Sequence, residues 1–201
     1  MAAGEAGGSV RMKLRDRVRN ILVQPRQEWP VIAEDFTDAW ALLRDYAVPL
    51  SAIPAACAAV SGAYSTGFLH SAVNTVVAWA LELLGLWIAA IVIEWLAPFF
   101  RSQGPRSQAL KLVVYSSTPI WIAGVLNLVP PLRPLMVIPT LYAIYLFYLG
   151  LPTVMETPSG SVVSYMIVSG VAVVAVFLLP VILIGASWGV GYVLWRVAIG
   201  A

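Results

Sequence analysis

Charge, cysteine and histidine are all scarce in this chain. Of 201 residues, 11% are Asp, Glu, Lys or Arg, where a soluble globular domain carries about 25%. Hydrophobic residues make up 60%, and the mean hydropathy is +0.85. Together these exclude a disordered chain, a coiled coil and an ordinary soluble enzyme. The single cysteine, Cys57, excludes a disulfide within the chain and a cysteine-based zinc site. It lies in an apolar run and reads as a small packing residue. The single histidine, His70, excludes a haem held by two histidines of this chain and a His-rich metal site. At a span end it reads as an interfacial polar residue. No Walker loop, GxGxxG, HExxH or GxSxG is present, so no catalytic site, cofactor or metal is expected. The first 44 residues offer no uninterrupted apolar core of a cleavable signal peptide, so the first hydrophobic span is expected to serve as its own insertion signal.

What the chain does have is long apolar runs. Five spans are predicted, at about 46–69, 73–97, 110–129, 134–150 and 162–187, each near the ~20 residues that cross a bilayer. The expected fold is therefore all-α: a polytopic membrane protein with five transmembrane helices in residues 45–201. The fourth span is short and contains Pro139, which also allows a re-entrant element. Residues 162–198 would measure roughly 55 Å as one helix, far beyond a hydrocarbon core of about 30 Å. The end is therefore expected to tilt, break or extend along the interface, with Trp188, Tyr192, Trp195 and Arg196 as an anchor. Gly185 and Gly189 form a GxxxG, which permits close helix contact.

Before the spans, residues 1–10 are small and read as disordered, and 11–44 read as cytoplasmic, interfacial amphipathic helices. Leu14, Val18, Ile21 and Leu22 recur at helical spacing. Gln24-Pro25 should end that helix. Pro30 suits the first turn of a second one, whose stripe is Trp29, Ile32, Phe36, Trp40 and Leu43. Arg11, Lys13, Arg15, Arg17, Arg19 and Arg26 form a basic block without interleaved aromatics. It reads as a patch for anionic headgroups at the inner leaflet rather than a nucleic-acid site. With the N-terminus inside, ten Lys and Arg fall in inner segments and only Arg133 and Arg196 in outer ones. That asymmetry predicts a cytoplasmic N-terminus and an exported C-terminus.

Glu82 is the most unusual residue. It falls about ten residues into the second span, near 15 Å deep. An ionisable group there is costly unless protonated, hydrated or paired, and is a functional candidate by default. Its depth matches Tyr115, Ser116, Ser117 and Thr118 of the third span, so an intramembrane polar contact with those hydroxyls is expected. A proton or cation path and a contact with a partner subunit are the other readings. Glu94 lies near the inner boundary with Lys111 on the same side, which predicts a boundary ion pair. Tyr142, Tyr145 and Tyr148, like Trp79, Trp87 and Trp95, recur along their spans and read as packing and belt residues.

One stretch carries a wider resemblance. It runs from Tyr115-Ser-Ser-Thr-Pro119-Ile-Trp121 to Tyr142-Ala-Ile-Tyr145-Leu-Phe-Tyr148-Leu-Gly150-Leu-Pro152, then Pro158 and Tyr165. Arg17-Val-Arg19-Asn-Ile-Leu, Pro25 and Trp29 precede it. Over about residues 15–175 the chain resembles the Ypt-interacting-protein (YIP) membrane protein family, in its bacterial branch. That resemblance implies five spans in the bacterial inner membrane, a cytoplasmic N-terminus and a periplasmic C-terminus. It departs at Glu156, where relatives often carry a basic residue. The Asp-Leu-Tyr-Gly-Pro motif of the eukaryotic relatives is absent, so their link to small GTPases is not implied. The expected function is a non-enzymatic scaffold or assembly factor for other membrane proteins or lipids, self-association included. The alternatives are an accessory subunit of a larger, respiratory complex, and a small transporter or proton path using Glu82.

Overall fold

A computed structural model describes residues 14–175, without the side chains of 65 and 66. Two short helices come first, α1 (Leu14–Val23) and α2 (Pro25–Glu34). α3 (Ala39–Leu42) runs through a π-helical turn, Leu43–Ala47, into α4 (Val48–Thr66). α5 (Phe68–Leu96), α6 (Arg106–Ala123) and α7 (Val137–Val154) follow. Two 3₁₀ segments, Gly124–Leu128 and Pro130–Met136, join α6 to α7, and α8 (Val162–Ala175) ends the described chain. Among the described residues there is no strand.

Among the described residues, four stretches are long and apolar enough to cross a membrane: Ala39–Tyr64, Phe68–Phe100, Arg106–Leu128 and Pro130–Val154. They overlap the first four predicted spans, with shifted ends. α8 starts at the place predicted for the fifth but is a shorter apolar helix. The rest of that span, the extension to 198, the GxxxG and its anchor residues lie outside the described residues, as do residues 1–10, Arg11 and Lys13. The fourth stretch passes from the 3₁₀ segment Pro130–Met136 directly into α7, and Pro139 does not break it. Pro139 falls at the third position of α7, inside the first turn, where no intrahelical N–H bond is lost.

The start of the chain departs more from expectation. α2 opens on Pro25, and Pro30 lies inside it. The helix stops at Glu34, and Asp38 caps α3 by accepting a hydrogen bond from the Trp40 N–H at 3.2 Å. The expected single stripe is thus split. Trp29, Ile32 and Leu43 are buried, while Phe36 and Trp40 are exposed. The π turn has a local cause. Pro49 would press its ring on the carbonyl four residues earlier, and widening the preceding turn relieves that clash while adding one residue.

α6 is the axis of the fold. Ten of its 18 residues are buried, against six of 29 in α5. α4, α5 and α7 pack around it, and α1 and α2 close one end of the bundle. Ile21, Trp29 and Ile32 are in the same core as Leu110, Leu112, Leu146 and Leu151. Small residues permit the closest approaches. A Cβ on Gly150 would stand 2.5 Å from Leu112 and 2.8 Å from the Trp29 ring, and one on Gly124 would stand 2.4 Å from Pro54. α8 is tied to α5 by Tyr165, whose hydroxyl donates to the Ile93 carbonyl at 2.5 Å and whose ring stacks on Phe100.

A buried charge cluster and a mid-helix carboxylate as candidate functional sites

Two polar features stand out in this apolar bundle. The first joins α1 and α2 to α6. Arg17 is not at the surface with the other basic residues. It is buried, and its guanidinium donates to Glu28 Oε1 and to Asp35 Oδ2, each at 2.7 Å. It also lies 5.9 Å from the centre of the Tyr115 ring, within cation–π range. Tyr115 in turn packs edge-on against Tyr46 and Trp29, and the Tyr46 hydroxyl shares a 2.9 Å hydrogen bond with Thr118 Oγ1. Of the predicted headgroup patch, Arg15, Arg19 and Arg26 remain exposed. Arg17 differs because it lies on the Leu14–Val18–Ile21 side of α1, which faces the core.

The ends of both short helices are finished by side chains from the spans. No basic residue stands in the last turn of α1 or α2, so their last carbonyls need other donors. The Tyr142 hydroxyl donates to the Leu22 carbonyl at 2.7 Å. Lys111 Nζ donates to the carbonyls of Ile32, at 3.1 Å, and Asp35, and Gln108 Nε2 to that of Ala33, at 2.9 Å. A buried ammonium at a helix C-terminus also meets the negative end of the helix dipole. This corrects the expected boundary pair. Glu94 pairs with Arg106, at 2.6 Å, not with Lys111, because Lys111 is turned inward toward α2.

The second feature is Glu82. It stands fourteen residues from either end of α5, at the middle of the helix. It accepts one hydrogen bond, from Trp121 Nε1 to Oε1 at 2.7 Å. The predicted hydroxyls are engaged elsewhere or turned away. Thr118 meets Tyr46, Ser117 donates to the Val113 carbonyl, and Ser116 Oγ is buried without a partner among the described residues. The contact partner therefore lies one turn further along α6. Depth counted along one helix does not include the offset between α5 and α6.

Glu82 borders a cleft of about 440 Å³ between α4 and α5, which also touches Asn127 of the α6–α7 connection. A second cavity, about 600 Å³, lies among α5, α6, α7 and α8. It is lined mainly by apolar groups, with Ser116 buried at its wall. Among the described residues no group of three or more His, Cys, Asp and Glu could hold a metal. His70 shares a 2.9 Å hydrogen bond with Asn74 at the end of α5, and Cys57 is half-buried in α4.

The tyrosine repeat on α7 divides by role. Tyr142 reaches α1, while Tyr145 and Tyr148 are exposed. Pro119 is buried within α6, and Pro152 is exposed within α7. Each removes one helical N–H and so leaves the carbonyl four residues earlier without its usual donor. Pro158 opens the turn before α8, where Ser161 N donates to its carbonyl at 2.8 Å. Sequence reasoning missed Trp121, Gln108 and the inward role of Arg17. The signal available for Arg17 was its helical register with Leu14 and Ile21.

The Glu82–Trp121 bond sets a graded expectation. Glu82→Gln keeps an acceptor for the indole and should leave the unfolding temperature in detergent nearly unchanged. Glu82→Leu should cost about 0.6 kcal/mol, with a ceiling near 2, and Trp121→Phe more, because Trp121 is 1% exposed and the smaller ring also leaves a cavity. The double variant should cost less than the sum of the two single changes, since both remove the same bond. Additive losses would show that the two side chains act separately.

In comparison with known families, the sequence model of the Yip1 domain matches residues 19–182. No curated protein and no solved structure matches the chain.

Proposed function

We propose a scaffold or assembly role for this chain, which belongs to the Yip1 domain family and carries, among its described residues, four helices long and apolar enough to span a membrane. In this reading it is a non-enzymatic, multi-pass protein of the bacterial inner membrane, of the family's bacterial branch, with five spans. It holds other membrane proteins, or further copies of itself, beside lipid. The observation that carries the reading is the uneven burial of the spans. α6 is enclosed, whereas α5 leaves Val73, Val76, Val77, Leu81, Leu84, Ile91 and Trp95 exposed along its length. Helix association in a bilayer depends on surface packing rather than on escape from water, and a long helix face left open among the described residues, beside the enclosed α6, suits that use. α1 and α2, locked onto α6, would hold Arg15, Arg19 and Arg26 at the inner leaflet, where each basic residue near anionic headgroups adds about 1 kcal/mol.

A photo-crosslinking residue at Leu84 tests the role. Discrete adducts with a membrane protein, or with a second copy, are expected from Leu84 and not from the enclosed Val114. Adducts with lipid alone at Leu84 would remove the scaffold reading. Topology is tested separately. A reporter active only after export should give signal when fused at residue 201 and none at residue 8, as the ten-to-two basic asymmetry requires. Signal on the same side at both ends would exclude five crossings.

The open cleft at Glu82 favours a second reading, a small transporter or proton path. There Glu82→Gln would abolish function while leaving the fold intact, because an amide exchanges no proton.

A further inference from the structure

The polar residues of α5 are not scattered. Ser71, Asn74, Thr75 and Glu82 all line the cleft between α4 and α5, at spacings that keep them on one side of a helix. They form a polar track from near the Phe68 end of α5 to its middle. Across from it α4 presents Ala55 and Ala58, small residues that leave the cleft open. The volume, about 440 Å³, is within the roughly 300–1,000 Å³ of small-molecule sites.

The charged acceptor in this cleft, the Glu82 carboxylate, is only half met by the protein's own donors. Glu82 Oε1 is met by Trp121, but among the described residues no donor meets Oε2. Asn127 and Thr75 also have no side-chain hydrogen-bond partner among the described residues. The Trp79 indole lines the wall, with its N–H held by Ser51 Oγ at 2.8 Å, so its ring remains as an apolar and π surface. A carboxylate at this depth is costly without a compensating charge or donors. It disfavours an anion. A bare metal ion wants six or more close oxygens, whereas this cleft carries one carboxylate in a space wide enough for a carbon skeleton. A primary ammonium has three donors and no acceptor, pairs with a carboxylate, and is attracted to an indole face. Its alkyl chain suits the alanine wall.

We propose that the α4–α5 cleft is a binding site for a primary alkylammonium group, with Glu82 as its counter-ion and Trp79 as its wall. The ammonium comes either from a soluble amine or from the headgroup of an aminophospholipid. The site stands independently of the scaffold reading, and the loss of either leaves the other in place.

Equilibrium binding of radiolabelled octylammonium to the full chain in a maltoside detergent tests this. Saturable binding at one site per chain is expected. Glu82→Gln should weaken it at least tenfold, and Thr75→Val or Asn127→Leu by a few-fold. Ala58→Phe fills the cleft from α4 without touching Glu82 and should abolish binding, which keeps the test decisive if Glu82→Gln fails to fold. In nanodiscs, weaker probe binding with phosphatidylethanolamine than with phosphatidylcholine would identify the lipid headgroup as the source. Equal binding in both would identify a soluble amine. Non-saturable partitioning, or equal affinity in the wild type and the Glu82→Gln and Ala58→Phe variants, would overturn the proposal.

Discussion

Arg17→Ala should be among the most destabilising single changes in this protein. It leaves Glu28, whose side chain is 6% exposed, and Asp35, 35% exposed, without their shared cation. Removing one partner of a buried ion pair costs about 3–5 kcal/mol. The lower end applies here, because Asp35 keeps part of its hydration. The loss should appear as a lowered unfolding temperature in detergent and as protease cleavage in α1 at temperatures where the spans remain folded. Arg17→Lys should fall between wild type and Arg17→Ala, since an ammonium lacks the fork that reaches both carboxylates at once. Arg17→Met combined with Glu28→Met should recover part of the stability, because it removes the more deeply buried of the two carboxylates along with the cation and leaves only Asp35, which keeps some hydration. Arg19→Ala, at an exposed position on the same helix, should stay within about 0.5 kcal/mol of wild type. Equal effects of Arg17→Ala and Arg19→Ala would show that the buried cluster does not hold the amino-terminal helices.

The second large effect is expected where α2 meets α6 and α7. Trp29 is 1% exposed and lies against Gly150 and Tyr115. Trp29→Ala should cost about 3–5 kcal/mol through the cavity it leaves. The lower half of that range is expected, because the substitution also removes an indole N–H that is buried without a partner among the described residues. Gly150→Ala approaches the same contact from α7. Its added methyl meets Leu112 and the Trp29 ring, and overpacking of this kind costs about 1–3 kcal/mol. The two changes act on one volume, so the double variant should cost clearly less than the sum of the singles. Thermal unfolding of all four proteins under one detergent condition measures the coupling. Strict additivity would mean that the methyl and the indole do not compete for space.

The sequence alone determined that the chain is helical, where the first four spans lie, and which mid-span carboxylate is exceptional. The reason is that hydrophobic run length and helical spacing are local quantities, set by bilayer thickness and by the rise of the helix. The Yip1 resemblance was legible too, because it rests on residues such as Tyr115, Pro119 and Gly150 that fix packing between helices. Pairing between helices was set by packing in three dimensions. Arg17 belonged to a basic block by composition, yet its place on the inward side of α1 buries it between Glu28 and Asp35. Lys111 and Glu94 stood close along the chain and at one boundary, yet they face different neighbours. Lys111 turns to the open carbonyls of α2, and Arg106 takes Glu94. Glu82 found Trp121 rather than the hydroxyls one turn earlier. In each case the choice depends on how far one helix is shifted and rotated against the next. Contacts such as Gly150 against Leu112 and Trp29, and Gly124 against Pro54, show how closely the elements meet, and no property of a single helix contains that offset.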